Sequence, residues 1–213
     1  MHIENGKFFH IHKHNSPKWF EGAHLAFGLE PNNAWRAFEI ARRGVTNPKN
    51  NEVYTVDMVA LRALEFYRKQ KQKDPKLAFY HFDPVVTLAE TLDSLFLATR
   101  MVRELIFEDV RRQLYMSLPS RVSCIWLIPD DPKAVRFWLD NMRGDYKKVF
   151  RVNASGELHR ATQQIVMGDT ISMLEWRRRA VDYWNGVKTE SDDDEIILSG
   201  DVEVLEEVPA NEF

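Results

Sequence analysis

A single cysteine, Cys124, serves all 213 residues, so an internal disulfide and a CxxC metal knot are both excluded. Its setting, CIWLIP, is apolar throughout, which implies a buried thiol of raised pKa with a packing role rather than a nucleophile. A reducing cytoplasm fits such cysteine poverty best. No 18-residue apolar run occurs, and the opening MHIENGKFFHIHKH lacks the apolar core of a signal peptide. The expectation is therefore a soluble, cytoplasmic protein with no membrane partner. No GxSxG surrounds any serine, and neither GxxxxGK[ST] nor GxGxxG is present, so a nucleophile elbow and a P-loop are not expected. The formal net charge of -3 gives no global pull toward nucleic acid or anionic lipid, while leaving room for a local basic patch.

What is present is an ordinary globular mixture, 44% hydrophobic and 29% charged, enough to bury one sizeable core. One domain spanning 1–213 is expected. KFFHIHKH alternates like a short strand, and HLAFG reads as a second. A short helix over Asn32 to Arg43 is closed by Gly44 and the turn-rich TNPKNN. Helical spacing of apolar residues then runs over Tyr54 to Gln72, and at greater length over Pro84 to Tyr115, with Asp83 as cap and Pro119 forbidding continuation. CIWLI is a buried strand, PKAVRFWLDNM a helix from Pro132, and KKVFRVNA a strand. A helix over Asp169 to Trp184, capped by Asp169 or Thr170, precedes a last strand pair in EIILSGDVEVLEEV. Strands at both ends with a helical insertion at about 54–116 indicate an α+β fold rather than evenly alternating βαβ units.

Several side-chain groups stand out. His10, His12 and His14 share one strand face, but without HExxH or a cysteine pair they read as strand-edge imidazoles, and no metal is expected. The run Trp176, Arg177, Arg178, Arg179 fans guanidinium groups across a helix, either as a solvated face or as a phosphate contact. Arg121, flanked by Ser120 and Ser123 at the mouth of the CIWLI strand, suits a carboxylate or pyrophosphate ligand, or belongs to a structural turn. The acidic run Asp192, Asp193, Asp194, Glu195 leads directly into apolar IIL, and acidity alone makes it a solvated tail.

Read together, FFHIHKHNSPKWFEGAHLAFG, SRVSCIWLI and DDEIIL resemble, in that order, three motifs of the ADP-ribosyltransferase superfamily. PSR before the middle strand and Tyr183, Trp184 and Gly186 near the end resemble a bacterial branch that includes toxins and phage-defence effectors. The resemblance implies a split β-sheet core carrying a helical insertion, and transfer of ADP-ribose from NAD. It implies donor contacts from His10, Ser120, Arg121 and either Ser123 or Trp126, with Ile11 and His12 standing where the family has Gly and Thr. Glu195 becomes the catalytic glutamate and Asp193 a companion that orients or deprotonates the acceptor, while Asp192 and Asp194 stay solvated. Breaking the nicotinamide bond builds positive charge on the ribose, which a fixed carboxylate stabilises. Arg177, Arg178 and Tyr183 suit an RNA or DNA acceptor through phosphate contact and stacking; a protein acceptor and an antitoxin partner are also compatible. The alternative is a non-catalytic module of this fold that binds a protein through its long helices.

Overall fold

The computed structural model describes residues 1–13, 16–40, 44–46, 51–55, 59, 61, 84–142, 147–167, 171–187 and 193–213. The chain forms two compact units, one of Met1–Arg36 with Arg103–Phe213, the other of Ala37–Val102. The described elements are strands β1 (His2–His12) and β2 (His24–Phe27), helix α1 (Asn33–Ile40), strands β3 (Gly44–Thr46) and β4 (Val53–Thr55), and helix α2 (Pro84–Leu114). Strand β5 (Ile125–Pro129), helix α3 (Pro132–Asn141), strand β6 (Lys148–Thr162), helix α4 (Met173–Trp184) and strand β7 (Asp194–Val208) follow. The fold is α+β, its main sheet antiparallel throughout. Among the described residues no helix is long and apolar enough to cross a membrane.

In the first unit the sheet runs β2-β7-β5-β1-β6, and β6 also pairs with β7. Four strands therefore form a closed circuit, with β2 added along β7. Closure needs sharp bending of the two longest strands, and the sequence supplies it where Gly156 faces Gly200. Both have positive φ (143° and 153°), and a Cβ on Gly200 would lie 2.1 Å from the Ser155 carbonyl oxygen. Only glycine fits that approach. EIILSGDVEVLEEV is consequently one bent strand, not the expected strand pair, because the glycine kink preserves pairing on both sides of it.

Period-two alternation divides the sheet's faces. The face lined by Ile125, Leu127, Phe150, Val152, Ile196, Leu198 and Val204 forms the inner core, with Phe8 and Trp19 packed against it. The outer face is covered twice. Helix α3 packs Ala134 and Val135 against Phe9, Ile11 and Val149, while α2 and α4 bring Phe107, Trp176 and Tyr183 onto Ile197 and Ala161. Full burial of one such ring, as at Phe107, contributes about 1.5–3 kcal/mol.

Local signals set the helix ends. Asp131 accepts from Lys133 N ahead of Pro132 at the start of α3, and Ser172 accepts from Glu175 N at the start of α4, each satisfying a first-turn donor. Helix α4 thus begins at Met173, and the expected caps Asp169 and Thr170 lie outside the described residues, as does Asp83. In the second unit Tyr54 belongs to β4, paired with β3 at Val45, rather than opening a helix. The expected helix beyond it falls, apart from Val59 and Leu61, outside the described residues.

Candidate active site

The candidate site is a buried cluster of charges on the outer face of β7. Arg121 comes from the turn before β5 and is 6% exposed. Its Nε donates to Glu104 Oε2 (2.7 Å) and its Nη2 to Glu104 Oε1 (3.2 Å). Its Nη1 donates to the Tyr183 hydroxyl (2.9 Å) and to Glu195 Oε1. The Tyr183 hydroxyl in turn donates to the same Glu195 oxygen at 2.6 Å. Glu195 Oε1 is thus held twice, while its Oε2 receives no hydrogen bond from any described residue.

Each partner reaches the cluster for a local reason. Glu104, Phe107, Glu108 and Arg111 recur at three- and four-residue spacing, so α2 presents them on one side. The Arg121 guanidinium lies 5.0 Å from the Tyr183 ring centroid and 5.7 Å from that of Phe107, aromatic surroundings that suit a weakly hydrated cation. Arg103 donates to Glu104 Oε1 and to the Val166 carbonyl. Beside it, Glu108 takes Arg111, Arg112 and the Ser120 hydroxyl.

The electrostatics follow from burial opposed by pairing. Burial disfavours charge on Arg121, but the Glu104 and Glu195 carboxylates outweigh it and hold the guanidinium well above its ordinary pKa. Burial alone would raise Glu104, yet Arg121 and Arg103 hold it below the usual carboxylate range. Burial, then the Glu195 carboxylate, push the Tyr183 phenol well up, so it stays a proton donor. Burial also raises the Cys124 thiol, as expected of a core residue.

Of the residues singled out in the sequence, Arg121, Tyr183 and Glu195 meet here, with Trp126 on the same face, 6.0 Å from the Arg121 guanidinium. Tyr183, expected at the surface for base stacking, is wholly buried, because α4 turns it toward the sheet. Asp193 precedes β7 and accepts from the Thr162 hydroxyl at 3.1 Å. Ser123 donates to the Gly28 carbonyl, tying the turn to the end of β2. His10 is not brought to Glu195. Its cross-strand partner is Phe150 of the inner core, whereas that of Glu195 is Ala161 beneath the helices. There its Nδ1 donates to the Trp126 carbonyl (2.9 Å) and its ring stacks on Trp19 at 4.3 Å. Burial lowers its pKa to about 4.

Arg177 and Arg178 lie on exposed α4 surface, paired with Asp109 and with Glu175 and Asp182. Asp192 and His14 fall outside the described residues. Asp194, expected in solvent, is 6% exposed and paired with Arg160, because strand alternation turns it to the inner face. Glu104 and Glu108 escaped the sequence reading; their signal was two acids on the apolar side of α2, within RELIFEDV. No group of three His, Cys, Asp or Glu residues among those described is placed to hold a metal ion.

No curated protein matches the chain. A family model described as a protein of unknown function, DUF2441, matches residues 8–210, from the middle of β1 to beyond the end of β7, and the chain belongs to that family.

Proposed function

We propose that the protein is an NAD-dependent mono-ADP-ribosyltransferase with Glu195 as its catalytic carboxylate. The observation that carries this is the one-sided clamp on Glu195, with Oε1 fixed by Arg121 and Tyr183 and Oε2 unbonded among the described residues. A carboxylate oriented through one oxygen presents the other to a ribose hydroxyl and to developing positive charge without reorganising. Further support comes from β1, β5 and β7, the strands bearing the three resembling segments, which lie side by side. The nicotinamide ribose is assigned to the Glu195 face. His10 holds β1 against β5 through the Trp126 carbonyl, and Arg121 positions Glu195. The acceptor is RNA, DNA or protein, as befits a toxin or defence effector acting in the cytoplasm.

Purified protein incubated with labelled NAD and cell RNA or lysate should release nicotinamide and label an acceptor, and Glu195→Gln should lose at least about 100-fold in rate. The proposal fails if wild type does neither and NAD leaves its Tm unchanged. A second function, a non-catalytic module binding a protein, is favoured by Leu88, Leu92, Leu95 and Phe96, which are exposed at helical spacing on α2. Recovery of a stoichiometric partner that Leu92→Glu abolishes, with NAD untouched, would select it.

A further inference from the structure

Alternation along β7 sends neighbouring carboxylates to opposite faces, Glu195 outward under the helices and Asp194 inward. The two are treated very differently. Asp194 Oδ2 is held by Arg160 Nε at 2.5 Å, while Oδ1 is buried and accepts no hydrogen bond from any described residue. A carboxylate oxygen shielded from water with no donor is a costly arrangement that native folds seldom keep without a use. Its cross-strand partner Thr162 directs its Oγ1 to Asp193.

Arg160 supplies the complementary half. Its side chain is 42% exposed, and among the described residues only its Nε is hydrogen-bonded. The remaining N–H groups of the fork are available to an anion, while the adjoining, shielded Asp194 Oδ1 lacks the donor that a ligand hydroxyl would supply. A ligand meeting both needs an O–H donor a few ångströms from a phosphate, which is the chemistry of a ribose phosphate. We infer that Asp194 and Arg160 form a ribose-phosphate subsite on the inner face of the sheet, distinct from the outward-facing Glu195 cluster. The choice of ligand class accords with the transferase proposal, but the site rests on Asp194 and Arg160 alone. The ribose phosphate belongs either to the donor dinucleotide or to an RNA acceptor.

Calorimetric titration of the whole protein with ribose 5-phosphate, ADP-ribose and a short single-stranded RNA tests this, with nicotinamide release from NAD followed in parallel. At least one probe should bind wild type, and Asp194→Asn should weaken it at least tenfold with little change in Tm. Arg160→Gln, at a half-exposed position, should weaken the same probe and serves if Asp194→Asn fails to fold. Tighter binding of ADP-ribose identifies the donor as the source, tighter binding of RNA the acceptor. Failure of all three probes to bind wild type, or equal binding by wild type and a folded variant, overturns the subsite. Nicotinamide release with unaltered probe binding in the variants removes the subsite and leaves the transferase standing. Probe binding that depends on Asp194, with NAD intact throughout, does the reverse.

Discussion

Two sets of guanidinium–carboxylate pairs in this molecule have the same chemistry and opposite surroundings. On α4, Arg177, Arg178 and Arg179 pair with Asp109, Glu175 and Asp182 on an exposed surface. Under α2 and α4, Arg121 pairs with Glu104 and Glu195 at side-chain exposures of 10% or less. Exposed pairs are screened and contribute about 0–1 kcal/mol each. Breaking a buried pair strands a charge and costs roughly 3–5 kcal/mol. Abundance of charge in a sequence therefore says little until burial is known, and the difference can be tested in order of size.

The largest effect is expected from Arg121→Met, which leaves Glu104 and Glu195 facing each other's side without their shared cation. Chemical denaturation should show a loss of about 3–5 kcal/mol at pH 7, against a change within about 0.5 kcal/mol for Arg178→Ala on the outer surface. A loss below that of Arg178→Ala would dissolve the contrast between the two regions.

Next comes acid. His10 is neutral in the fold with a pKa lowered to about 4, whereas the unfolded chain takes up its proton near 6.5. The unfolded state binds more protons between those values, so stability is complete above pH 6.5 and falls as pH drops toward 4, by about 3 kcal/mol. The groups facing His10 are His12 and Trp19, so the charge finds no carboxylate among these neighbours to offset it. His10→Asn should flatten the wild-type slope of stability over pH 6.5–4; an unchanged slope would place the sensitivity elsewhere.

A smaller loss is expected from Tyr183→Phe. It removes the hydroxyl that accepts from Arg121 and donates to Glu195 while keeping the ring, and should cost about 1–3 kcal/mol. Under the transferase proposal it should also lower the turnover rate more than the affinity for NAD, since Glu195 loses one of its two fixing donors.

Much of the architecture was legible because it depends on local rules. Pro132 after Asp131, the long amphipathic run from Pro84, and the apolar strand before Pro129 each appear within two residues of where spacing put them. The closed circuit was not legible, since it depends on two glycines 44 positions apart meeting across β6 and β7. The candidate site was legible in part. Arg121 stands out as a polar group at a strand mouth and Glu195 through the family resemblance, and they do meet. Glu104 was hidden because a helix face looks apolar on average even when one acid points inward. The resemblance implies one site for His10 and Glu195, but the order of motifs along a chain does not reveal which side of a strand a residue faces. That parity is set by register, and the bulge between Arg151 and Val152 shows that it can even change within one strand.

The closed strand circuit also sets a schedule for synthesis. Strand β1 pairs with β6 about 150 positions later, at His2↔Glu157 and Phe8↔Val152, and the ring shuts only when β7 joins β5 to β6. Contacts so distant along the chain make folding slow and leave β1 with unpaired edges while the ribosome completes the remainder. At typical elongation rates that wait is on the order of 10–40 s. A nascent chain stalled before Asp194 should therefore bind holdase chaperones, and release should come only as the bent last strand emerges.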